Sequence, residues 1–153
     1  MDKWDFRFMK MARLISEWSS CYSEGRNIGS VIVVDKRIMT TGYNGAPAGI
    51  KTCKERGECL RRKQDIPSGT RAEVCYAIHA EQNAILQAAK LGISIEGGTL
   101  YCTHQPCSVC AKMIVNVGIR RVVYQEGYPD SFAIAFFQEG GVKLERFEEP
   151  PEG

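Results

Sequence analysis

The chain has 153 residues, 44% hydrophobic and 25% charged, which is enough apolar content for one continuous core. We expect a single domain over residues 1–147 and a flexible polar tail, EEPPEG, at 148–153. A formal net charge of +2 argues against a nucleic-acid-coating surface or a polybasic membrane arm. Charges are spread through the first twenty residues, and no stretch approaches the roughly 18 apolar residues of a membrane span, so the expected location is the cytosol.

In chain order, Phe8, Met11, Ile15 and Trp18 fall at helical spacing and predict an amphipathic helix over residues 3–19. SVIVVD (30–35) and RIMTTGY (37–43) read as two strands joined by a tight turn at Asp35 and Lys36. Residues 44–74 are rich in Gly, Pro and charge and read as one long functional loop. A helix is predicted from His79 to Leu91, ended by Gly92, then a strand at TLYCT (99–103). Pro106 opens a second helix over 107–117, Gly118 closes it, and RRVVYQ (120–125) is the next strand. That strand, helix, strand order implies parallel pairing. The fold class is therefore α/β, a mixed sheet of about five strands with helices on both faces.

Seven cysteines in an unexported chain point to metal or catalytic use, since thiols there stay reduced and an odd number cannot all pair. The richest segment is His79-Ala80-Glu81 followed downstream by Pro106-Cys107-Ser108-Val109-Cys110. Cys107 and Cys110 alone could be half of a zinc knuckle or two buried thiols. With His79 they form a three-ligand set, which suits a catalytic zinc that keeps a fourth position for water. Each group sits at a predicted helix start, where the partial positive charge favours thiolate. Glu81, two residues from His79, is the natural proton carrier for that water.

Taken together, GSVIVVD (29–35), GYNGAPAG (42–49), HAEQNAI (79–85), IEGGTLYCTHQPCSVCAKMI (95–114) and RRVVYQEGYPD (120–130) resemble the deoxycytidylate (dCMP) deaminase family within the cytidine deaminase superfamily. The resemblance implies a three-layer α/β/α sandwich and zinc-dependent hydrolysis of dCMP to dUMP and ammonia, feeding dTMP synthesis. It implies Asn44 as a contact to the sugar and base, Tyr128 as an aromatic wall, and Arg26 as a phosphate contact. It also suggests a second, structural zinc with ligands from positions like Cys21 and Cys53, which Cys59 and Cys75 would complete as a four-thiolate set. A homo-oligomer, often a hexamer, activated by dCTP and inhibited by dTTP, with Mg2+ accompanying the regulatory nucleotide, is implied too, and Gln87 and Lys90 are candidate contributors. Cys102 reads as core, His104 as a satisfied or partly exposed histidine with the pocket mouth as the alternative, and Trp4 and Trp18 as packing residues. The rival readings are a zinc deaminase of tRNA adenosine, free cytidine, or a pterin or riboflavin precursor, and a non-catalytic zinc-stabilised interaction module.

Overall fold

Near-continuous apolar runs, such as VIVV in 31–34 and LYC in 100–102, let the central strands bury both faces, and the chain uses this to carry helices on either side of one sheet. The structure is a computed structural model that describes residues 1–23, 25–67, 70–127 and 129–149; Tyr128 and the end of the predicted tail, 150–153, lie outside the described residues. Strands β1 (Gly29–Val34), β2 (Arg37–Tyr43), β3 (Thr99–His104), β4 (Arg121–Glu126) and β5 (Lys143–Arg146) form a sheet in the order β2-β1-β3-β4-β5. The pairs β1/β2 and β1/β3 are antiparallel, whereas β3/β4 and β4/β5 are parallel, as expected for the strands on either side of the second helix. Asp35 and Lys36 both have positive φ, at 50° and 61°, which is the twist-matched geometry of a two-residue hairpin.

One face of the sheet, with Val31, Val33, Tyr101 and Val123, buries Phe8, Met9, Ala12 and Ile15 of helix α1 (Lys3–Ser16), and Phe147 joins them. The other face, with Ile32, Leu100, Cys102 and Val122, packs α4 (Ala80–Leu91), α5 (Ser108–Asn116) and α6 (Ser131–Glu139). Helix α1 is shorter than predicted, and its buried face is rotated toward Asp5, Met9 and Ala12. Trp18 therefore falls beyond the helix end and is 57% exposed, so it is not the packing residue expected; Trp4 does pack, stacked on Phe8.

Residues 44–74 are not one unbroken loop. They contain the single-turn helices α2 (Cys53–Arg56) and α3 (Leu60–Lys63) and a 3-10 turn at Ala72–Val74. One turn is too short to show a periodicity, although Thr52 and Glu55 carry a capping-box signal, and the Thr52 hydroxyl does accept from Glu55 N–H at 3.1 Å. Helix α6 and strand β5 were likewise not predicted. SFAIAFFQE is apolar on nearly every side, and KLER is a short charged edge strand, so neither shows a clean period.

Glycine at 42 sets how closely α4 can approach β2. A Cβ there would lie 2.1 Å from the Ala80 carbonyl oxygen and 2.6 Å from Ala84 N, and both neighbours are backbone. Gly42→Ala is expected to lower the melting temperature by roughly 5–10 °C, by overpacking that forces backbone apart. It should also shift His79 and Glu81, which ride on the displaced turn; a thermal melt checks the expectation, and an unchanged melt would show that the two elements separate freely.

Candidate active site

Both halves of the site begin where a helix begins. His79 caps α4, and its N–H donates to Gln82 Oε1 at 2.9 Å, while Ile78 and Gly45 exchange backbone hydrogen bonds of 2.8 and 3.2 Å just before it. Ser30 Oγ on β1 donates to the Ala80 carbonyl at 2.9 Å, and Asn83 Nδ2 donates to the Tyr43 carbonyl at 2.7 Å, so the first turn of α4 is pinned to the β1–β2 hairpin. Cys107 caps α5. Asp130 accepts from Ser108 N at 3.2 Å and from Ala133 N at 3.1 Å, and so ties the starts of α5 and α6 together.

These two helix starts bring His79 Nδ1 to 3.2 Å from Cys110 Sγ and 3.6 Å from Cys107 Sγ. Among the described residues, His79, Cys107 and Cys110 are the one set of three or more metal-ligating groups whose atoms lie within 4.8 Å of one another. Two tetrahedral ligands about 2.2 Å from one zinc stand about 3.6 Å apart, so the set fits that ion. The Cys107 thiol is brought down to about 4, first by the hydrogen bond from Cys110 and then by His79. Cys110 moves the other way, because its proton is held by Cys107 and because it is buried. The hydrogen bond to Cys107 pushes His79 up, against the effect of burial. Two thiolates side by side repel, and a divalent cation between them is what lets both ionise.

Glu81 is 5% exposed and lines a cavity of about 220 Å3 together with His79, Cys107, Asn44, Arg26 and His104. Burial pushes its carboxyl up, opposed by the charge of His79. The Cys102 thiol, buried in β3 as expected, donates to Glu81 Oε1 at 3.5 Å, a contact that sequence spacing could not reveal.

Asn44 reaches the cavity wall with its amide already engaged. Oδ1 accepts from Ile28 N at 2.9 Å and Nδ2 donates to the Arg26 carbonyl at 2.6 Å, which leaves one N–H and one lone pair for a ligand. Its own carbonyl accepts from Ser20 N–H and from Ser19 Oγ. The residue thus shapes the 26–28 segment as much as it faces a substrate. His104 lines the cavity, as the alternative reading had it, with Nδ1 at 3.0 Å from Thr103 Oγ1. Sequence reasoning missed Arg61 and Gln105, which also line it; Arg61 Nε and Gln105 Nε2 are buried and have no hydrogen-bond partner among the described residues.

All four remaining cysteines of the predicted second site are free thiols; Cys21 and Cys75 line the same cavity, and Cys53 is buried. Their sulfurs are not drawn together as tightly as the His79 set. They are still close enough that Cys53 is pushed up by burial and then by the charges of Cys75, Cys21 and Cys59.

This arrangement, a mixed sheet between helix layers with a His/Cys/Cys set and a buried carboxyl at two helix starts, places the chain in a defined class. The family model described as the cytidine and deoxycytidylate deaminase zinc-binding region matches residues 2–126, and the chain belongs to that family. It is 38% identical over 150 residues to the deoxycytidylate deaminase of Schizosaccharomyces pombe, covering 97% of this chain and 45% of that one. It is 37% identical over 146 residues to ComE operon protein 2 of Bacillus subtilis, covering 95% of this chain and 71% of that one. The crystal structure of the dCMP deaminase of cyanophage S-TIM5 in complex with dCMP and dUMP superposes with a TM-score of 0.78 at 32% identity, covering 96% of this chain and 99% of that one. The chain thus spans under half of the yeast relative's length. No helix among the described residues is long and apolar enough to cross a membrane.

Proposed function

We propose that this protein is a zinc-dependent deaminase that hydrolyses dCMP to dUMP and ammonia. The observation that carries the reading is the convergence of His79, Cys107 and Cys110 within 4.8 Å, beside a buried Glu81 in one cavity. The likeness to a solved dCMP deaminase in complex with dCMP and dUMP supports the substrate. His79 Nδ1 and the sulfurs of Cys107 and Cys110 would hold the ion. When bound, zinc supplies Lewis acidity and lowers the pKa of a water to about 7. Glu81 would take the first proton of the attacking water and hand it to ring N3 as a C–O bond forms at C4; it would then take the remaining hydroxyl proton and deliver it to the amine as the C–N bond breaks, leaving the C4 carbonyl of dUMP and ammonia. Asn44 and Arg26 line the cavity, which supports them as the nucleotide contacts, and Tyr128 is proposed as an aromatic wall from the sequence motif alone.

The same reading includes one domain over residues 1–147 and a second, structural zinc on Cys21, Cys53, Cys59 and Cys75. The mutual influence of these thiols at Cys53 supports that zinc, which would order the 53–75 segment against the end of α1. It includes a homo-oligomer, up to a hexamer, with dCTP and dTTP as effectors alongside Mg2+, and cytosolic location. An open groove of about 470 Å3 bordered by Trp18, Tyr43, Leu86, Gln87 and Lys90 supports an assembly surface, since its large apolar members are exposed.

The test is ammonia release from dCMP, CMP, dCTP, cytidine and adenosine, with and without a chelator, alongside elemental analysis. Turnover of dCMP that chelation abolishes is expected, with two zinc ions per chain. Turnover of another substrate would move the protein to a neighbouring activity. No turnover by zinc-loaded protein, with dCTP and Mg2+ present, would favour a non-catalytic zinc module. One zinc per chain, with all four outer cysteines alkylated in the native protein, would remove the second site.

A further inference from the structure

The catalytic cavity does not end at the base site. A smaller hollow of about 120 Å3 adjoins it, and Arg26 and Arg61 line both. Arg62, Ser23 and Ile66 complete the smaller one with Cys59. Three guanidinium side chains therefore border one small space, and among the described residues none of them forms a salt bridge. Arg61 is held in place by α3 and by an Nη1 hydrogen bond to the Thr70 carbonyl at 3.2 Å. Its Nε is buried with no acceptor among the described residues. A buried cationic N–H without an acceptor is costly, and when the protein supplies none it is met by a water, an ion or a ligand.

A planar fork with buried donors matches phosphate oxygens better than a single point charge does. We propose that Arg61, acting with Arg26, takes the 5′-phosphate of the nucleotide whose base lies against His79 and Glu81, so that Arg61 is the residue that selects nucleotide over nucleoside. The identity of the base rests on the deaminase reading above; the phosphate subsite rests on the two hollows and the orphaned guanidinium. Of the two basic residues that flank Arg62 in α3, only Arg61 lines a hollow. Lys63 pairs with Glu58 at 3.3 Å and faces neither.

Calorimetric titration of zinc-loaded protein with dUMP and with deoxyuridine tests this. Wild type is expected to prefer dUMP by about 100-fold, and Arg61→Gln to cut that preference by about 10- to 100-fold, the worth of a charge-assisted pair. Arg61→Lys should lose part of it, because charge remains but the fork does not, and Lys63→Gln should keep all of it. If Arg61→Gln does not fold, Arg61→Lys carries the measurement. Equal affinity of wild type for the two ligands, an unchanged preference in the variants, or equal weakening of both ligands would overturn the proposal. An Arg61-dependent preference in a protein that releases no ammonia from dCMP would keep the phosphate subsite and remove the deaminase reading; dCMP turnover with a preference indifferent to Arg61 would do the reverse.

Discussion

Glu81→Gln is expected to lower kcat for dCMP by about 10³- to 10⁴-fold while leaving zinc content and dUMP binding close to wild type. Glutamine keeps the shape of the side chain and an acceptor for the Cys102 thiol, but it has no exchangeable acid proton. The carboxyl sits at the first turn of α4, 5% exposed, with burial raising its proton affinity against the opposing charge of His79. Burial and the nearby charge pull in opposite directions, and such opposed influences are how a carboxyl is fitted both to accept and to return a proton. Steady-state assays with metal analysis decide the matter. Full turnover by a zinc-replete Glu81→Gln protein would assign the proton transfers elsewhere.

The second large effect concerns stability. Arg121, at the start of β4, reaches Asp5 Oδ1 at 2.7 Å through Nη1 and Glu145 Oε1 at 2.8 Å through Nε, and so joins α1 to β4 and β5. Tyr101 Oη on β3 donates to the same Asp5 oxygen at 2.7 Å. Asp5 is 4% exposed on the buried face of α1, so its charge depends on these partners. Arg121→Met strands that carboxylate, and we expect a loss of about 3 kcal/mol, or a melting point lower by about 10 °C.

The pH dependence gives this prediction a sign. Burial by itself would raise Asp5, yet the Arg121 and Tyr101 hydrogen bonds outweigh it and hold the carboxyl below its ordinary range; Arg121, then Lys143, hold Glu145 low despite partial burial. Groups with depressed values stabilise the fold fully above the unfolded-state pKa of about 4 and lose that contribution as pH falls through the folded values. In Arg121→Met the stranded Asp5 favours its proton instead. The stability gap between wild type and variant should therefore narrow as pH drops from 7 toward 3. Urea unfolding at several pH values measures it, and a gap independent of pH would show that the pair carries no linkage.

How far the chain could be read depended on whether a feature is local. His79, Glu81, Cys107 and Cys110 lie in two short segments whose helix starts are marked by sequence, so their meeting at one point followed from spacing and resemblance. Strands β1 to β4 and the helices α4 and α5 were legible for the same reason. Cys102 against Glu81, and Arg61 at the junction of two hollows, are products of chain segments packed from a distance, and no window of sequence contains them. The role of Asp5 was not legible either, because a carboxylate on the buried face of α1 has no visible partner until Arg121 is brought to it across the sheet. Helix α6 escaped because its sequence is apolar on nearly all sides, and β5 because four charged or half-exposed residues make a strand only when β4 offers a partner.

Asn44 has one more consequence, and it concerns chemical ageing. An asparagine followed by glycine is the peptide sequence most prone to spontaneous loss of its own side-chain amide, through attack of the next backbone nitrogen on the amide carbon. Here the attacking nitrogen, that of Gly45, is committed to the Ile78 carbonyl, and the amide is clamped between Ile28 N and the Arg26 carbonyl. Neither partner is free to rotate into a ring. A protein read as removing an amino group from its substrate thus holds its own most labile amide in a geometry that slows the same loss, and the protection lasts only while the 26–28 segment and the turn before α4 stay folded.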